Sequence, residues 1–205
     1  MDPGRQAGHM RVIIRELFET VILALLIFMA LHTSVQNFRV QGPSMRPTLE
    51  AGEHVMVNKL VYLSFQAQDI ARLVPFLDLG DERNMFPFHE PRRGEVVIFE
   101  FPEDVTRDFV KRIVAVSGET VEIKQGRVFV DGVEIDEPYL TRRDRGNYGP
   151  TTVPDGNYFV LGDNRPASHD SRHWGTVPTD KLVGRAWVSF WPLDRWHALL
   201  TFLRP

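Results

Sequence analysis

Three stretches of this chain carry side chains able to do covalent chemistry, each in an unusual backbone setting. Gln41-Gly42-Pro43-Ser44-Met45-Arg46-Pro47-Thr48-Leu49 presents one serine in a turn built from Gly and Pro. Pro43 fixes its own backbone angle, Gly42 permits close approach of the chain, and Pro47 ends any helix begun after Ser44. Taken alone, these nine residues also suit a stiff linker. Phe109-Val-Lys-Arg-Ile-Val-Ala-Val116 reads as a strand that is apolar on both faces. Alternation places Lys111 with Phe109, Ile113 and Ala115, and Arg112 with Val110, Val114 and Val116. A strand of this kind is buried on both sides, so at least one of the two cations is desolvated. Burial lowers a lysine pKa, and a neutral amine can take a proton from a serine hydroxyl. An edge strand whose lysine reaches back to water is the competing reading.

The third stretch, Leu161 to Gly175, collects Asp163, Asn164, Arg165, Ser168, His169, Asp170, Ser171, Arg172 and His173 in one loop. Turn-forming Asp and Asn account for part of this. A Ser44–His169–Asp170 triad is one reading, but adjacent residues of an extended chain point apart and leave Asp170 poorly placed to orient His169. A metal site from His169, Asp170 and His173 is a second; no helix or strand sets a convergent spacing for it. The third is a hydrogen-bonded platform behind an active site, with Asp–Arg pairs as struts.

These stretches need elements to hold them. The 205 residues, 43% hydrophobic and 25% charged, make one globular domain with or without an appendage. A net charge of −3 gives no basic excess for nucleic acid, and the absence of cysteine removes disulfides and thiolate chemistry. Residues 1–10 end in Gly8-His9-Met10 and have the look of an appended tag. From Thr20 to Phe38 no residue is charged, and Val21 to Leu31 is apolar without a break. Counted from Leu17, the run reaches the roughly 20 residues of helix that cross a bilayer. Arg5, Arg11 and Arg15 precede it and only Arg39 follows closely, which predicts a cytoplasmic N-terminus with the bulk outside. Residues 1–16 are thus read as cytoplasmic, 17–37 as a transmembrane anchor and 38–192 as the extracytoplasmic domain.

Within that domain short β-type runs follow one another at 94–101, 109–116, 121–124, 127–130, 133–135, 158–161 and 184–191. Gln125-Gly126 and Asp131-Gly132 read as tight hairpin turns. No helices alternate with these runs, so the fold class is mainly β, an antiparallel sheet or barrel. A long aromatic insertion at 63–90, a hairpin and exposed basic loop at 125–150 (Arg142, Arg143 and Arg145) and an apolar tail at 193–205 stand apart.

Ser44-Met-x-Pro-Thr-Leu49, Arg93-Gly-Glu-Val-Val-Ile-Phe99, Lys111-Arg-Ile-Val114 and Gly162-Asp-Asn-Arg165 with Ser168-x-Asp-Ser-Arg172 occur in this order behind the anchor. The arrangement closely resembles bacterial type I signal peptidases, the Ser–Lys membrane proteases that remove signal peptides from exported proteins. The resemblance implies a largely β catalytic fold with Ser44 as nucleophile and Lys111 as general base. It implies that Ser168 orients the lysine amine and that Asp163 with Arg112, and Asp170 with Arg172, form structural ion pairs. It places Phe38, Val40 and Val110 in pockets for small residues at −1 and −3, with Gln41, Gly42, Pro43 and Met45 also against substrate. Preprotein signal peptides and the lipid bilayer are the implied partners, without nucleic acid, metal or cofactor, and the implied location is the cytoplasmic (inner) membrane with a single pass. One departure concerns Gly42, where some relatives carry a serine whose hydroxyl completes the oxyanion hole. Two rival readings are a membrane-tethered peptide-binding module, which would keep the sheet without the chemistry, and a Ser–Lys self-cleaving repressor, which would carry a DNA-binding domain instead of the anchor.

Overall fold

The computed structural model describes residues 3–62, 65–66, 84–85 and 89–199, with side chains for 14–29, 34–62 and 89–199. Helix α1 runs Pro3–Ser34 and leads directly into strand β1, Val35–Arg39. The chain then forms β2 (His54–Asn58), β3 (Phe65–Gln66), β4 (Asn84–Met85), β5 (Val96–Phe101), β6 (Asp104–Ala115), β7 (Thr120–Lys124), β8 (Arg127–Val130) and β9 (Val133–Glu134). After these come β10 (Tyr148–Thr152), β11 (Asn157–Leu161), a one-turn helix α2 (Ser171–Trp174), β12 (Val177–Pro178), β13 (Leu182–Trp191) and β14 (His197–Ala198). Mainly antiparallel β structure is therefore what the sequence pattern predicts and what the chain forms. The aromatic insertion at 63–90 lies outside the described residues apart from β3, β4, His89 and Glu90, as does the tail beyond Leu199.

The large sheet has eight strands in the order β1-β2-β13-β5-β6-β11-β12, with β14 added beside β13. Strand β5 shows why it is central: Val96 and Ile98 enter one buried cluster with Val40, Met45, Leu49, Val55 and Val57, while Val97 and Phe99 enter another with Ile113 and Val160. Period-two alternation of apolar residues on both faces fits a strand covered on both faces. A separate four-stranded sheet, β10-β7-β8-β9, packs a third cluster of Val121, Ile123, Val128 and Val130 against Val114, Phe159 and Leu161. Its hairpin turns have positive φ at both central residues, 49° and 78° at Gln125-Gly126 and 50° and 79° at Asp131-Gly132. That is the geometry a two-residue hairpin requires, and it makes these turns legible in sequence.

Two features bear on the site. Strand β1 ends the large sheet, and β6 pairs with β5 along its length but with β11 only from Arg112 to Ala115. Both strands therefore offer unpaired backbone close to the serine turn. In α1, the large apolar side chains from Ile14 to Met29 are all exposed. Among the described residues no helix is long and apolar enough to cross a membrane. After β13 the chain turns back: Leu193 and Trp196 are exposed, whereas Leu199 enters the cluster that holds Met45.

Candidate active site

Ser44 heads the turn between β1 and β2. The Arg46 N–H donates to the Pro43 carbonyl and the Leu49 N–H to the Met45 carbonyl, and Met45 and Leu49 are fully buried. The two apolar side chains pin the turn to the core while Ser44 stays half-exposed. Gly42 has φ of +82°, so the approach to the serine uses a conformation that favours glycine. Open space surrounds the position of an added Cβ there; backbone conformation, rather than crowding, accounts for the glycine.

Lys111 meets this serine from β6. Its Nζ lies 3.0 Å from Ser44 Oγ and 3.0 Å from the Val110 carbonyl oxygen, to which it donates. The residue is only 4% exposed. Burial pushes the ammonium pKa down to about 8, against the opposing pull of Asp170 and Asp163. Of the two readings the sequence left open, the buried lysine is the one the chain adopts.

The Leu161–Gly175 loop forms a platform around the pair. Arg112 Nε and Nη2 donate to Asp163 Oδ1 and Oδ2 at 2.9 and 2.7 Å, with both residues 1% exposed. Arg112 also reaches the Gly94 carbonyl at 2.8 Å, and the Thr48 hydroxyl donates to Asp163 Oδ2 at 2.5 Å. The serine turn, β6 and the platform are thus joined at one carboxylate. The Asp170 carboxylate accepts from Arg172 Nε at 2.8 Å and from the Gly162 N–H at 3.0 Å. Asn164 holds the serine turn directly: its N–H donates to the Ser44 carbonyl at 2.9 Å and its side-chain amide to the Pro43 carbonyl at 3.0 Å. Gly162 keeps this junction tight, because an added Cβ would lie 2.2 Å from Ser168 Oγ and 2.6 Å from the Ser44 carbonyl oxygen. The Ser168 hydroxyl is buried beside it and makes no hydrogen bond among the described residues.

Phe38 and Val110 pack half-buried against the cluster containing Val40 and Met45, while Gln41, Gly42 and Pro43 are exposed ahead of the serine. The pairs Asp163–Arg112 and Asp170–Arg172 both form. His169 is exposed with its ring 4.9 Å from that of His173. Asp170 caps α2, accepting from the Arg172 N–H while the His173 side chain takes the Asp170 N–H. The carboxylate needed by a triad or a metal is committed to Arg172 and the cap. Among the described residues no group of three His, Asp or Glu side chains is arranged for a metal.

The model of the family described as signal peptidase, peptidase S26, matches residues 13–191, a span that takes in Ser44, Lys111 and the whole platform loop. The chain belongs to this S26 signal peptidase family. A probable signal peptidase I-2 of Synechocystis sp. is 36% identical over 187 residues, covering 88% of this chain and 74% of that protein. A probable signal peptidase I-1 of Synechocystis sp. is 32% identical over 197 residues, covering 92% and 88%. The signal peptidase I of Leptolyngbya laminosa is 32% identical over 185 residues, covering 86% and 79%.

In this signal peptidase fold several site residues carry no separate signal in the sequence. Thr48 and Asn164 sit inside motifs but look like ordinary turn residues until the tertiary contacts are drawn. Glu137 and Tyr139 fall inside the 125–150 stretch read as a hairpin and exposed basic loop, and both are buried. Arg142, Arg143 and Arg145 are indeed exposed, yet Tyr139 is buried with Arg112 stacked over its ring at 4.0 Å, and Glu137 is buried against Arg165. An alternating polar loop and a set of buried struts have the same composition; only the partners differ.

Proposed function

We propose that this peptidase is a membrane-anchored serine endopeptidase that removes N-terminal signal peptides from exported preproteins, with Ser44 as nucleophile and Lys111 as general base. The observation that carries the reading is the 3.0 Å approach of a buried lysine amine to Ser44 Oγ. Neutral Lys111 accepts the Ser44 hydroxyl proton as Oγ attacks the scissile carbonyl. The protonated amine then delivers that proton to the leaving amide nitrogen, giving the acyl-enzyme and the free mature N-terminus. Lys111, neutral again, deprotonates a water that hydrolyses the ester. Oxyanion stabilisation falls to the Ser44 N–H, which donates to no acceptor among the described residues. To the buried Ser168 hydroxyl, which has no hydrogen-bond partner among the described residues, we assign the role of accepting an N–H of the Lys111 amine during the reaction and so holding its lone pair toward Ser44.

The unpaired edges of β1 and β6 support binding of the cleavage segment as an added strand. Phe38, Val40, Met45 and Val110 converge in one cluster beside that position, which suits small residues at −3 and −1. The apolar, exposed side chains of α1 need a cover that water does not provide, which supports a single-pass anchor in the cytoplasmic membrane. The basic residues before it put the N-terminus in the cytoplasm and the β domain outside. The deciding experiment incubates the purified full chain in phospholipid vesicles with a model preprotein. Cleavage after an Ala-x-Ala segment, lost in Ser44→Ala, is the expected product mass, and the chain stays with the vesicles through an alkaline carbonate wash. Cleavage by Ser44→Ala would reject the mechanism, and release by the wash would reject the anchor.

The lowered pKa of Lys111 sets a sign for pH dependence. Only the neutral amine is a base, so kcat/KM rises about tenfold per pH unit below about 8 and levels off above it. A profile of kcat/KM from pH 6 to 9.5 checks this, and a rate that falls across that range while the protein stays folded contradicts it.

A further inference from the structure

Three arginines of β6 and the platform loop are each in contact with one short segment, residues 137–144. Arg112, next to Lys111 in β6, lies over the Tyr139 ring at 4.0 Å. Arg165 pairs with the Glu137 carboxylate, one contact being Nη1 to Oε2 at 3.3 Å, and its Nε donates to the Gly162 carbonyl at 3.2 Å. The Tyr139 hydroxyl donates to the same Glu137 at 3.0 Å. Arg172 uses its whole planar fork: Nε and Nη2 on Asp170, Nη2 also on the carbonyls of Arg165 (2.7 Å) and Ser168 (3.4 Å), and Nη1 on Asp144. Through these arginines the segment touches both neighbours of the catalytic geometry, the Gly162 backbone and the backbone of Ser168.

The segment joins β9 to β10 and is tied to the small sheet. The Gln125 N–H donates to the Asn147 side chain at 2.8 Å and the Gly126 N–H to the Gly146 carbonyl at 3.0 Å. An added Cβ at Gly126 would lie 1.8 Å from the Asp144 carbonyl oxygen, so the β7–β8 turn and the segment are in direct contact. A loop present only to join β9 to β10 needs no buried Glu and Tyr and no carboxylate aimed at a guanidinium already paired with Asp170. We propose that Glu137, Tyr139 and Asp144 are positioning residues for the Ser44–Lys111 dyad, through which the four-stranded sheet fixes the loop carrying Gly162 and Ser168. This rests on the peptidase reading above. None of the three touches substrate; each acts through an arginine.

Asp144, partly exposed, is the position at which the idea is tested without threatening the fold. The full chain, Asp144→Asn and Asp144→Glu are compared in vesicles on the model preprotein, with kcat expressed per Ser44 titrated by a serine-directed acylating inhibitor. A small displacement of a catalytic group is felt strongly in rate, and Asp144→Asn is expected to lower this kcat about tenfold with KM unchanged. Asp144→Glu, which keeps the charge within reach of Arg172, restores most of it. Tyr139→Leu, which takes the ring from beneath Arg112, gives a loss of the same order per titrated serine. A merely structural brace would lower the titratable fraction or the melting temperature and leave kcat per titrated serine alone; that result overturns the proposal. A parent chain that does not cleave, or a Ser44→Ala chain that does, overturns the peptidase reading and this inference with it.

Discussion

Lys111→Met lowers kcat for preprotein cleavage by about 10⁴-fold, the upper range for loss of a general base, while the chain remains folded. Methionine keeps the length and much of the volume of the side chain but offers no proton acceptor. Ser44 then loses both its 3.0 Å partner and the group that would take its proton. Stability should hold or improve. Lysine is 4% exposed there, and its desolvated amine is a cost that an apolar thioether does not carry. Single-turnover cleavage gives the rate, and thermal unfolding of the same preparation shows that the loss is chemical. Combining the change with Ser44→Ala should cost little more than either alone, because groups that act as one unit are not additive. A Lys111→Met chain within tenfold of the parent would place the base elsewhere.

The second large effect is on the fold. Asp163→Ala removes the carboxylate that joins Arg112 to Thr48, with Arg112 and Asp163 each 1% exposed. Breaking a buried ion pair from one side destabilises by about 3–5 kcal/mol, since the remaining charge keeps its desolvation cost. Urea unfolding measures this directly as a fall in midpoint at constant slope. Restoring an apolar pair with Asp163→Leu and Arg112→Met should recover much of the stability, as buried pairs are often replaceable by packed hydrophobes. Activity should not return in that double variant, because Thr48 still lacks the carboxylate that ties its end of the serine turn to the platform. Full stability in Asp163→Ala would show that the stacking of Arg112 on Tyr139 and its bond to Gly94 are enough to hold the guanidinium.

Much of the fold was legible because the physical rules involved are local. Strands β5, β7, β8, β11 and β13 follow from runs of β-branched and aromatic residues, and the two hairpin turns from Gln-Gly and Asp-Gly. Strand β2 alternates, with Val55 and Val57 buried, yet it is not among the runs read from the sequence; β1, β10 and β14 lack such alternation. β1 is nearly all exposed, and β10 includes Gly149 and Pro150 at the rim of its sheet, where a missing N–H is tolerated. β14 is two residues long and is specified by its partner β13 rather than by itself.

What the sequence determined unaided is the inventory: one serine in a Gly-Pro turn, one lysine in a doubly apolar strand, and a loop dense with Asp and Arg. Residue type and spacing settle which side chains are able to react and which faces must be buried. Only the tertiary structure decided that Ser44 and Lys111, 67 residues apart in sequence, close to a 3.0 Å contact, and which arginine Glu137 and Asp144 would claim. Pairing of that kind depends on long-range register and on what lies across the core, such as Glu137 on Arg165 and Asp144 on Arg172. No local propensity encodes it.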